Sequence, residues 1–91
     1  MKYVALLRIV DPEKNQQHRP EHLRYISDLF RAGKVVFAGP FTDGFGGMVV
    51  YQCDNEEEAS KLAHDDPVVV HGARTVDLHP WTALDLPVNL P

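Results

Sequence analysis

A β-α-β-β-α-β order of short elements predicts an α+β sandwich, a four-stranded antiparallel sheet with two helices on one face. Three observations lead to it. A chain of 91 residues is long enough for one domain and too short for two. Compact runs rich in Val, Tyr and Phe alternate with segments of helical period. Turn and stop residues separate them: Gly33, the stretch "GPFTDGFGG" and Pro67.

The first strand is "KYVALLRIV" (2–10), apolar at both alternating sets of positions and so expected at the sheet centre, buried on both faces. "DPEKNQQHR" (11–19) is polar and reads as a loop. The first helix spans 20–32. Pro20 suits its first position, Glu21 suits the positive end of its dipole, and Gly33 ends it. "KVVFAG" (34–39) and "MVVYQC" (48–53) are the second and third strands, joined as a hairpin by a long glycine-rich loop, 39–47. "DNEEEASKLAHDD" (54–66) is the second helix, with Asn55 and Glu58 spaced as a capping box and Pro67 ending it. "ARTVDLHPW" (73–81) is the fourth strand. Residues 1–81 thus form one ferredoxin-like domain, and 82–91 a tail that lies loose or straps a neighbouring subunit.

Only one sheet face receives helices, yet strands 1–3 carry apolar residues toward both. A second copy covering the open face, a face-to-face homodimer, is therefore expected. A net charge of −4 and nine scattered Lys and Arg give no nucleic-acid footprint. No apolar run approaches the ~18 residues of a membrane span, and nothing resembles a signal peptide, so the expectation is a cytoplasmic protein. The single Cys53 excludes an internal disulfide and reads as a small buried residue. His18, His64, His71 and His79 match no metal-binding spacing, and neither a metal nor another cofactor is expected.

The chemistry comes from His22, which falls within the arc of Leu23, Ile26, Leu29 and Phe30 on the helix side that should face the core. With right-handed crossovers, the start of the first helix, the hairpin loop and the end of the second helix meet at one rim of the sheet. That brings His22 toward Asp65 and Asp66. The positive end of a helix favours a neutral imidazole that can act as a base. A carboxylate on the other ring nitrogen fixes the tautomer and stabilises the imidazolium once formed. Arg19 is a candidate hook for an anionic group, and Gly39, Pro40 and Phe41 of the loop are candidate substrate contacts covering the site. Taken singly, the residues have plainer readings. His22 can be a helix-end histidine bonded to a carbonyl, Asp66 turn punctuation before Pro67, and Arg19 a solvated arginine.

The chain resembles the YciI-like (YCII) family over about residues 2–81. The resemblance rests on "RPEHLRYI" with Arg19 and His22, "GKVVFAGPFTD" with Gly33, Gly39 and Pro40, "EEASKLAHDDP" with Asp66-Pro67, then Gly72, and "HPW" ending at Trp81. It implies a dimeric α/β barrel similar in fold to muconolactone isomerase, and a His–Asp dyad on His22 and Asp66. Some members of the family dehydrochlorinate a chlorinated hydroxyhydroquinone. Relatives usually carry an aromatic residue after the Asp-Pro pair, where this chain has "VVVHG". Val68 and His71 should therefore reshape the pocket, and a relative's substrate does not carry over. The expected activity is cofactor-independent proton transfer on a small cyclic or aromatic-derived compound, an elimination, dehydrochlorination or isomerisation of lyase or isomerase type. The competing reading is a non-catalytic, small-ligand-binding or accessory dimeric module that uses the same pocket.

Overall fold

The computed structural model describes residues 1–90. Strand β1 (Lys2–Ile9) is followed by helix α1 (Pro12–Arg31), strands β2 (Val35–Pro40) and β3 (Gly46–Gln52), helices α2 (Glu56–His64) and α3 (Pro67–Val70), and strand β4 (Arg74–Trp81). The sheet order is β2-β3-β1-β4, antiparallel throughout, with Leu7 opposite Gly47 of β3 and Val76 of β4. This is the expected ferredoxin-like arrangement, with one short helix more than the sequence suggested.

Residues opposite one another across a ladder share a face, which separates the two sides of the sheet. Tyr3, Ala5 and Leu7 of β1 meet Tyr51 and Val49 of β3 on the helix side, and form the core with Ile26, Val35, Ala59 and Ala63. The other face carries Val4, Leu6, Met48 and Val50, with Phe37 of β2 beside Val50 and Trp81 of β4 opposite Lys2. β1 is central as expected, but Val4 and Leu6 are only half-buried within one chain, and Phe37 is 68% exposed. Among the described residues no helix is long and apolar enough to cross a membrane.

The largest departure from expectation is at α1. Residues 12–19 are helical, not a loop, and Pro20 lies inside the helix. The start signal is Asp11-Pro12: Asp11 Oδ1 accepts from the Lys14 N–H at 3.1 Å, and Pro12 takes the first position. Pro20 removes the N–H that would bond the Gln16 carbonyl and crowds that carbonyl with its ring. Both residues are exposed, so water reaches the freed group. The inward positions of the added turns are Asn15 and His18, half-buried and in line with buried His22 and Ile26. Leu23 and Phe30, expected on the inner face, are instead 44% and 61% exposed.

The second helix also ends differently. It closes at His64, with Asp65 as its C-cap, and Asp66 then caps the separate turn α3, in which Pro67 is the first residue. The Asn55 cap forms as expected, accepting from Glu58 N–H at 2.8 Å, but the Glu58 carboxylate goes to Lys34 Nζ at 2.6 Å. The hairpin strands run further than expected, leaving 41–45 as the loop. Gly46 is obligatory there: its φ is +149° and an added Cβ would lie 1.9 Å from the Leu7 carbonyl oxygen. Residues 82–90 are exposed and outside any helix or strand, while the last residue of the expected tail lies outside the described residues.

Cys53 is buried, as its strand-like setting suggested. Burial, with the Glu58 carboxylate, raises its thiol to about 11. The neutral thiol therefore prevails near pH 8, and alkylation by iodoacetamide should be about a hundredfold slower in the folded chain than in the unfolded one. Equal rates, followed by mass spectrometry, would place the thiol in water instead.

Candidate functional site

The inward stripe of α1 turns polar toward its N-terminus and meets α3 and the start of β4. His22 Nδ1 lies 2.8 Å from Oδ1 and 2.7 Å from Oδ2 of Asp66. Asp66 is fully buried, and its Oδ1 also accepts from the Val68 N–H at 3.2 Å as the cap of α3. An ionised carboxylate only accepts, so Nδ1 carries the proton and donates. In the neutral ring, Nε2 then holds the lone pair. His22 also lines a cavity of about 200 Å³.

That cavity lies between α1 and the β2–β3 end of the sheet, with Arg19, Ile26, Gly39, Pro40 and Arg74 among its walls. A benzene-sized molecule occupies a dry cavity of about 150 Å³, so the space suits one ring with few substituents. A larger opening, about 780 Å³, runs along α2 past Glu57, Lys61 and His64. It is a shallow surface groove that touches neither member of the pair.

Arg74 was not among the residues singled out from the sequence. It begins β4, is 7% exposed, and its Nε donates to Asn15 Oδ1 at 2.7 Å. Burial lowers its pKa from the ordinary value, Asp66 opposes that shift, and the nearby Arg19 charge adds to it. Among the described residues neither Arg19 nor Arg74 forms an ion pair with a carboxylate. Two like charges therefore converge beside the cavity without a salt bridge, the buried Asp66 being the carboxylate whose charge reaches Arg74. Gly47 makes room for one of them, since an added Cβ would lie 3.1 Å from an Arg74 guanidinium nitrogen. The strand alternation of Arg74, Val76 and Leu78 was the sequence signal that places Arg74 on the inner face.

Of the residues expected at the site, His22, Arg19, Gly39 and Pro40 line the cavity, and Asp66 backs His22. Phe41 does not. It packs edge-on against Phe45, ring centroids 5.6 Å apart, in a separate depression with Leu6 and Asp43. Asp65, the competing carboxylate, is taken by Lys61 at 2.7 Å. His22 also reaches the rim from mid-helix, so the positive end of α1 does not act on it. Two tyrosines stand behind the pair. Tyr25 donates to the Leu62 carbonyl at 2.7 Å, and burial, with Asp65 and Asp66, raises its phenol to about 12. The buried Tyr51 hydroxyl has no hydrogen-bond partner, and burial together with Asp66 raises its phenol strongly.

Fold and site together define a small α+β sandwich with a buried imidazole–carboxylate pair beside a ring-sized cavity. The chain belongs to the YCII family: residues 1–82 match the YCII-related domain. It is 32% identical over 80 residues to the uncharacterized protein YjpA of Bacillus subtilis (strain 168), an alignment covering 87% of this chain and 94% of that one. Among solved structures it is similar to 5-chloro-2-hydroxyhydroquinone dehydrochlorinase (TftG) from Burkholderia phenoliruptrix AC1100, in complex with 2,5-dihydroxybenzoquinone. That likeness has a TM-score of 0.74 at 18% identity, over 90% of this chain and 94% of the other, and is a likeness of fold. The family and the ferredoxin-like fold expected from the sequence both hold.

Proposed function

We propose that the protein is a cofactor-independent enzyme in which His22 Nε2 is the general base and Asp66 the group that orients it. The observation that carries this reading is the hold of both Asp66 carboxylate oxygens on Nδ1, beside a cavity lined by two guanidiniums that form no salt bridge. His22 takes a proton from a ring C–H or O–H. The electron pair left behind either expels a leaving group such as chloride, completing an elimination, or the proton returns at another carbon, completing an isomerisation. Arg19 and Arg74 hold the negative charge that develops on the ring oxygen. The dehydrochlorinase named for the structural neighbour supports a reaction of this class.

The test is a panel of chlorinated and unchlorinated hydroxylated monocycles, followed by chloride release and ring absorbance. Turnover of at least one compound is expected, and Arg74→Gln should lower kcat/KM about tenfold or more, the loss of a charge-assisted hydrogen bond to the developing charge. A compound that binds in the cavity with no compound turned over favours the accessory module instead.

The active form in this reading is a homodimer through the open sheet face. Its support is the apolar surface of Phe37, Val4, Leu6 and Met48 on the side without helices. Phe37→Glu is expected to shift sedimentation equilibrium toward the monomer. A wild-type chain that sediments as a monomer at micromolar concentration contradicts this part of the proposal.

A further inference from the structure

One helical turn before His22, a second polar cluster bridges α1 and α3. His18 and Glu21 lie on α1, three residues apart, and His71 is the C-cap of α3. The His18 and His71 rings stack face to face, centroids 3.8 Å apart and planes within 4°. His18 Nδ1 lies 3.5 Å from one Glu21 carboxylate oxygen, and His71 Nε2 lies 4.0 Å from the other. One ligand atom from each residue falls within 4.8 Å of the other two. His18 is 14% exposed, and its Nδ1 is a buried polar atom with no hydrogen-bond partner.

We infer that His18, Glu21 and His71 form a binding site for a first-row divalent cation of the zinc type. Two imidazoles and one carboxylate are a donor set that zinc accepts, with a fourth position left to water. Zinc–ligand bonds of about 2.0–2.2 Å require donor atoms about 3.4 Å apart in a tetrahedron. The cluster must therefore tighten by up to about 1.4 Å, and the His71 ring must turn out of its stack on His18 so that both in-plane lone pairs point at one ion. Glu21 and His71 are each 46% exposed and have room for that movement, while the half-buried His18 is the more fixed of the three. A cation there satisfies the orphaned His18 nitrogen and neutralises Glu21. It also ties α1 to α3, the two helices that carry His22 and the Asp66 cap. The site is distinct from that pair, because Nδ1 of His22 is committed to Asp66. Sequence spacing did not reveal it, since His71 lies fifty-three positions from His18 and joins it only through the packing of α3 on α1.

The experiment is calorimetric titration of the full chain, without an added histidine tag, with zinc chloride, and with cobalt(II) read by its visible absorption. The expected result is saturable binding of one ion per chain and a tetrahedral cobalt spectrum. Affinity should fall about tenfold or more in His71→Ala and in Glu21→Gln, and persist in a His64→Ala/His79→Ala double variant. His71 is exposed, so His71→Ala keeps the test open even if His18→Ala fails to fold. Absence of saturable binding, undiminished binding in His71→Ala, or loss in the double variant overturns the inference. Binding abolished by His22→Gln but unchanged in His71→Ala places the ion on the dyad and overturns it as well.

Discussion

His22→Gln is expected to lower turnover by about 10²–10⁴-fold, the usual contribution of a positioned base, and to leave the chain folded. The choice of glutamine matters. Asp66 is fully buried, and a buried carboxylate stripped of its partner costs about 3–5 kcal/mol. Glutamine keeps a side-chain N–H donor for Asp66, whereas alanine does not. His22→Ala should therefore lose activity and stability together, while His22→Gln loses activity alone. Thermal unfolding of the two variants, set beside their kcat on a compound the wild type turns over, separates the roles. Wild-type turnover in His22→Gln would remove His22 from the chemistry.

The second large effect is at Asp66, which has two structural duties. It holds His22 Nδ1, and it caps α3 through the Val68 N–H. Asp66→Ala abolishes both, and a lost charge-assisted hydrogen bond plus a lost cap sum to about 2–5 kcal/mol. Asp66→Asn keeps the volume and an oxygen able to cap α3. It no longer stabilises an imidazolium or dictates which ring nitrogen carries the proton, so turnover should still fall about 10²–10⁴-fold. Urea unfolding midpoints should therefore rank wild type above Asn and Asn above Ala, with the two variants alike in activity. An active Asp66→Asn enzyme would reduce Asp66 to a capping residue.

The strands and α2 were legible because their signals are local: compact apolar runs, the Asn55 cap and the glycine turns. The N-terminal half of α1 was not, for a reason tied to function. Its inward residues are Asn15, His18 and His22, so the apolar stripe stops at the point where the helix face meets Arg74, Asp66 and His71. A helix whose inner face lines a site looks, by hydrophobic period, like a loop. Pro20 reinforced that reading, although Asp11-Pro12 carried the true start signal. The four residues of α3 are too few for any period to show.

The meeting of His22 and Asp66 was legible from connectivity, since the crossover rule sets which ends of the elements share a rim. His22 does not sit at the helix mouth, where its sequence setting after Pro20 placed it. It lies mid-helix, held by the Asp66 carboxylate. Phe41 leaned the other way because Phe45 and Leu6 offer it apolar contact on the opposite side of the loop. Arg74 is a strand-end charge, and only strand alternation marked it as inward-facing.

In the proposed mechanism Asp66 fixes the proton on Nδ1 of His22 and leaves Nε2 as the base. Long-range ¹H–¹⁵N correlation of the imidazole, recorded where the ring is neutral, tests it without a known substrate. The expected spectrum shows His22 as the Nδ1–H tautomer in the wild type and loses that preference in Asp66→Asn. A wild-type ring protonated on Nε2 would have no lone pair to offer there, and would contradict the account.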